Sequence, residues 1–184
     1  MTVVSDQLSV LKLVTGKLDA AGIPYMITGS IAAGHYARPR MTRDIDLVVE
    51  LQPGDAERFV TMFGDEFECN TDAIRSAIFR QSLFNLIHSA AIVKVDFVVR
   101  KDTPYRQEEF RRRRPALLDD HPVWMVSPED LVLSKLLWAK DTRSELQLND
   151  VRHIITAQSG LDWPYVELWG QRLGVMDLLG EVRR

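Results

Sequence analysis

Apolar residues recur at helical spacing near the start of the chain. Leu8, Leu11, Leu18 and Ala21, with Val10 and Val14, predict an amphipathic helix over 5–21, and Gly22 follows as a stop signal. The pattern then shortens. Pro24 opens an extended run, Tyr25-Met26-Ile27-Thr28, that ends at Gly29, where the absence of a side chain permits a tight turn or a close backbone approach. Ser30 has the chemistry of an N-cap for a short helix over 31–36, which Arg38-Pro39-Arg40 terminates. Over 44–51 the period becomes two, with Ile45, Leu47 and Val49 on one face of a strand and Asp44, Asp46 and Val48 on the other.

The alternation continues downstream. Pro53-Gly54 marks a turn, 55–63 an amphipathic helix, and Thr71-Asp72 the cap of a brief helix over 73–79. Strands follow over 82–88 and 91–99. The second places Asp96 inside a β-branched and aromatic run, where a carboxylate needs a metal or cationic neighbour. Residues 100–114 are polar and basic and predict a helix, and 115–126 carry short apolar pieces suited to an edge ribbon. Ser127-Pro128-Glu129-Asp130 is a helix start: serine as cap, proline at the first helical position, acids in the first turn. Leu131, Leu136, Leu137 and Trp138 form a stripe expected in the core. Further helices are expected over 146–157 and 163–173, with Gly174 and Gly180 as punctuation and Trp163 and Trp169 as packing residues.

Composition narrows the classes. A chain of 184 residues fits one folding unit, and 46% hydrophobic with 27% charged residues is ordinary for a globular protein. A net charge of −3 argues against a generally basic nucleic-acid binder. The single cysteine, Cys69, suits a reducing cytoplasm. The N-terminus has no basic flank before a long apolar run, and no stretch is long enough to span a bilayer, so neither a secretory signal nor a membrane partner is expected. His35, His88, His121 and His153 lack metal-ligand spacing. Arg111, Arg112, Arg113 and Arg114 are expected on a solvated helix face; RNA contact is the alternative.

The stretch 25–50 carries the candidate chemistry. Two carboxylates two residues apart on a strand point the same way, with Cα atoms about 6.5 Å apart, a geometry suited to a divalent metal. Gly29-Ser30, then Asp44-Ile45-Asp46, then Asp96 on a later strand resemble the nucleotidyltransferase superfamily over about 20–155. The approach Arg40-Met41-Thr42-Arg43-Asp44-Ile45-Asp46 and the helix Pro128-Glu129-Asp130-Leu131 with Lys135 are similar to small bacterial members of the minimal and abortive-infection toxin types.

The resemblance implies an α+β fold, a mixed β-sheet flanked by helices, with a catalytic core over 1–126 and a C-terminal helical segment over 127–184 packed on it. It implies a magnesium-dependent transfer of NMP from an NTP, ATP first among them, to a hydroxyl on a protein, RNA or small molecule. Two magnesium ions, or manganese in their place, would be held by Asp44, Asp46 and Asp96, with Asp96 also a sink for the acceptor's proton. Gly29 and Ser30 would offer backbone amides and a hydroxyl to the triphosphate. Lys135 would meet the β- or γ-phosphate, with Arg40 or Arg43 as a second cation. The alternative is a fold relative without turnover: an antitoxin partner or a nucleotide sensor. In the segment where toxin-type members carry an arginine and then a lysine-aspartate pair, only Arg143 and Asp150 match. The short C-terminal region implies an acceptor surface completed by a second subunit or a separate protein.

Overall fold

The computed structural model describes residues 3–42 and 44–184, and of residues 3–5 the backbone alone. Among the described residues, seven strands form one mixed sheet: β1 (Tyr25–Ile27), β2 (Asp44–Val49), β3 (Phe67–Glu68), β4 (Leu83–His88), β5 (Val93–Val99), β6 (Arg114–Leu118) and β7 (His121–Met125), in the order β3-β4-β5-β2-β1-β7-β6. The helices are α1 (Val3–Ala21), α2 (Gly29–Tyr36), α3 (Ala56–Phe63), α4 (Thr71–Arg80), α5 (Pro104–Arg111), α6 (Pro128–Thr142), α7 (Glu145–Ala157), α8 (Trp163–Leu173) and α9 (Met176–Val182). This is the α+β class expected from the sequence. None of the described helices is long and apolar enough to cross a membrane.

The centre of the sheet decides where chemistry can sit. β2 and β5 run parallel with Asp44 opposite Lys94, Asp46 opposite Asp96 and Val48 opposite Val98. Side chains alternate along each strand, so these six residues share one face. The other face carries Ile45, Leu47, Val49, Val95, Phe97 and Val99, all buried. There Phe59 of α3 packs edge-on against Phe84 and Phe97, with ring centroids 5.3 and 5.1 Å away. One face is thus a solid apolar core, and the face with the acids is left for a cleft.

That second face is walled by the helices after β7. Ser127 accepts a hydrogen bond from the Asp130 N–H at 3.1 Å and caps α6, with Pro128 in the first turn, as the sequence predicted. The Tyr36 hydroxyl donates to the Val126 carbonyl at 2.7 Å, tying α2 to the start of α6.

Several expectations are corrected. Asn70, not Thr71, caps α4: its side chain accepts from the Ala73 N–H at 3.0 Å. The basic stretch is helical only through Arg111, because the chain turns into β6 at Arg114. Its arginines therefore share no helix face. Arg111 pairs with Glu108, Arg112 with Glu129 and Asp130, and Arg114 with Glu129, while Arg113 lies over the Phe110 ring. Gly180 lies inside α9, a helix that the sequence pattern did not predict.

Candidate active site

The turn after β1 brings the first two site residues against the acids. Gly29 adopts a φ of +63°, and a β-carbon on it would lie 2.0 Å from Asp46 Oδ2. Only glycine fits both the backbone and the space. Helix α2 begins at Gly29 itself, with Thr28 as the flanking residue, so Ser30 is not the N-cap. Its side chain instead accepts a hydrogen bond from the Arg40 guanidinium. Its backbone N–H acts on Asp46, an anion placed at the positive end of a helix.

The acids are unequal. Burial, then repulsion from Asp96, pushes the Asp46 carboxyl above its ordinary range, and the Ser30 N–H opposes the shift. Asp96 is buried, with Oδ2 held 2.8 Å from Lys94 Nζ. Its Oδ1 is buried with no hydrogen-bond partner. Asp44 is half-exposed and has Lys94 Nζ 3.7 Å from Oδ2. The Asp96 hydrogen bond is the largest of the effects that raise the Lys94 ammonium's pKa.

Across the cleft stands a second charged group. Lys135 Nζ donates to Asp150 Oδ2 at 2.8 Å and to the Gln147 side-chain oxygen at 3.0 Å. Arg40 Nε reaches Asp150 Oδ1 at 3.2 Å. Burial lowers the Lys135 pKa against the pull of Asp150; burial raises that of Asp150, but Lys135 and Arg40 outweigh it and hold the carboxyl down. Asp150 therefore gathers two cations that the sequence offered separately.

Gly29, Ser30, Asp46, Asp96 and Lys135 line one cleft of about 310 Å³. Asp44 lies on the same sheet face beside the cleft, Arg40 behind Ser30, and Arg43 outside the described residues. Val48, Val98, Leu83, Leu131 and Trp138 supply apolar lining, and Arg106, Glu109 and Ser134 line the same cleft. Arg106 donates to Ser134 Oγ at 2.7 Å and to Glu109 Oε2 at 2.8 Å. Trp138 corrects the expected core stripe: it is 63% exposed. Residues 131, 134, 135 and 138 recur at helical spacing, a signal that could have marked this as the cleft-facing side of α6.

The donor set fits a hard divalent cation: carboxylates on adjacent strands, one with an unpartnered buried oxygen. Among the described residues, no three acidic, histidine or cysteine groups already form a metal cage. Small side-chain rotations would bring the carboxylates together on one ion.

No protein-family model and no curated protein sequence matches the chain. Solved structures do. The antibiotic-resistance factor ANT(2'')-Ia superposes with a TM-score of 0.62 at 16% identity, over 98% of this chain and 99% of that one. An antigenic nucleotidyltransferase-like protein from Paracoccidioides brasiliensis gives 0.55 at 21% identity, over 96% and 93%. The lincosamide antibiotic adenylyltransferase LnuA, with lincomycin bound, gives 0.56 at 12% identity, over 84% and 97%. These likenesses show that the chain has the nucleotidyltransferase fold.

Proposed function

We propose that the chain is a divalent-metal-dependent nucleotidyltransferase that moves an NMP unit from an NTP, ATP foremost, to a hydroxyl of a small-molecule acceptor. The observation that carries this reading is the side-by-side placement of Asp46 and Asp96 in a cleft, with Asp96 Oδ1 buried and unpartnered and Lys135 on the facing wall. Asp44, Asp46 and Asp96 would hold magnesium, or manganese in its place. The bound ions would supply Lewis-acid activation of the acceptor and charge neutralisation at the leaving pyrophosphate.

The chain's own residues do the rest. Gly29 leaves room for the Asp46 carboxylate to lie against the turn, and Gly29 and Ser30 would offer backbone amides and a hydroxyl to the triphosphate. Lys135 would turn from Asp150 toward the triphosphate, with Arg40 or Arg43 as a second cation. Asp96 would accept the acceptor's proton. In this reading residues 1–126 form the catalytic core, and 127–184 contribute the wall that carries Lys135.

The acceptor class draws on the cleft and on two fold relatives. The apolar lining of Val48, Leu83, Val98, Leu131 and Trp138 beside the acids suits a compact, partly apolar molecule. ANT(2'')-Ia is also known in complex with adenylyl-2''-tobramycin, and LnuA is a lincosamide adenylyltransferase.

A second reading, nucleotide binding without turnover, as in a sensor or an antitoxin partner, is favoured by the Lys94 ammonium already neutralising the acids. Pyrophosphate release from each NTP, with magnesium present or chelated, separates the two. Magnesium-dependent release that Asp46→Asn and Asp96→Asn abolish supports the transferase. Saturable NTP binding with no release, whatever acceptor is supplied, supports the second reading.

A further inference from the structure

Lys94 occupies an unusual place for a surface lysine. It stands opposite Asp44 in the β2/β5 ladder, one side-chain position before Asp96 on the same face. Its ammonium touches the outer two of the three acids, at 2.8 Å from Asp96 and 3.7 Å from Asp44. Its neighbour on the other side, across from β4, is the apolar Ile87, which offers no competing anion. The side chain is 40% exposed, so the ammonium has solvent to move into without unpacking the sheet.

Three carboxylates on adjacent strands repel one another, and one monovalent cation relieves part of that repulsion. A divalent ion held by Asp44, Asp46 and Asp96 would sit close to the Lys94 ammonium on the same carboxylates, and the two cations repel each other. Entry of the metal therefore sets its charge against the ammonium and favours breaking of the 2.8 Å pair. Magnesium sheds its own water reluctantly, and substrate phosphates usually complete its shell. An ion arriving with a triphosphate brings ligands that offset the lost pair, and an ion arriving alone does not.

We propose that Lys94 is a placeholder cation, which holds the acids in the metal-free protein and makes tight metal binding conditional on nucleotide. This rests on the reading of Asp44, Asp46 and Asp96 as metal ligands. Lys94 is in these terms a positioning residue, and its displaced ammonium is free to follow the phosphates.

Manganese binding, read from the paramagnetic resonance of the free ion, tests the proposal without any turnover. The wild type is compared with Lys94→Met, which keeps the stem and removes the charge, and with Lys94→Arg, which keeps the charge. Lys94→Gln replaces the methionine variant should that one not fold. In the absence of nucleotide, the neutral variant is expected to bind manganese about tenfold more tightly than wild type, with the arginine variant unchanged. With a saturating non-hydrolysable NTP analogue, the affinities should converge. Equal or weaker manganese binding by the neutral variant, while Asp96→Asn still abolishes binding, overturns the placeholder and leaves the metal site standing. Loss of nucleotide affinity in the neutral variant with unchanged manganese affinity also overturns it, and makes Lys94 a phosphate ligand. Absence of any Asp96-dependent manganese binding, with or without nucleotide, removes the metal site itself.

Discussion

Gly29 and Asp46 are in such close contact that a single added carbon on the glycine would overlap the carboxylate, 2.0 Å from Oδ2 and 2.5 Å from Cγ. The turn after β1 and the acid on β2 are therefore one unit. Gly29→Ala forces a left-handed conformation on an L-residue, a cost of roughly 1–2 kcal/mol, and pushes Asp46 out of place. The variant should fold with a lowered melting temperature and lose nucleotide transfer almost entirely. An alanine variant with normal turnover would separate the turn from the site.

Asp46 is held in an unfavourable state. Its pKa is raised by burial and by Asp96, so the native state binds a proton more readily than the unfolded chain. The stability from this group is full below the ordinary carboxylate pKa and is lost as pH rises through the raised value. Asp46→Asn keeps the shape and an acceptor for the Ser30 N–H and removes the charge. At neutral pH the metal-free variant should melt a few degrees higher than wild type, with a flatter dependence on acidic pH. Transfer should fall about a thousandfold or more, the equivalent of on the order of 4 kcal/mol of transition-state stabilisation. Thermal scans across pH, beside a pyrophosphate assay, check both halves.

Lys135 is 4% exposed and bound to Asp150, with Gln147 beside it. Charge-assisted hydrogen bonds contribute about 1.5–3 kcal/mol each. Lys135→Met should therefore weaken NTP binding by about 10- to 100-fold. Titration calorimetry reads the change. Unaltered NTP affinity would confine Lys135 to holding α7 against α6.

Phe59 supports the sheet from the face opposite the site, packed edge-on or tilted among Phe63, Phe84 and Phe97. Phe59→Ala should cost about 3–5 kcal/mol of stability, seen as a lower denaturant midpoint. At temperatures where it is folded, its NTP affinity should match wild type, because the acids point the other way.

The parts legible in sequence were those written by local chemistry. The two-residue period of β2 and β5 set which side chains face the core and which face the cleft, and the Ser127-Pro128 start of α6 was readable from its cap. Register was not. That Lys94 lies opposite Asp44 depends on how two strands far apart in the chain slide along each other, which no local pattern encodes. Asp150 joins Lys135 only because α6 and α7 fold back on each other after Arg143, whose φ is +50°. Ser30 and Thr71 look like caps, but Thr28 and Asn70 take those places, since the helices begin one or two residues earlier than their side chains advertise. Trp138 looked like core because it is large and apolar; α6 turns that residue toward the cleft.

A metal and a nucleotide should meet in the cleft between the acids and Lys135. A crystal structure of the protein with manganese and a non-hydrolysable ATP analogue, read by the anomalous signal of the metal, tests it. The expected result is manganese on Asp44, Asp46 and Asp96, Lys94 displaced, and the analogue's phosphates running from Gly29 toward Lys135. Manganese and nucleotide elsewhere on the surface, with Lys94 still on Asp96, would contradict it.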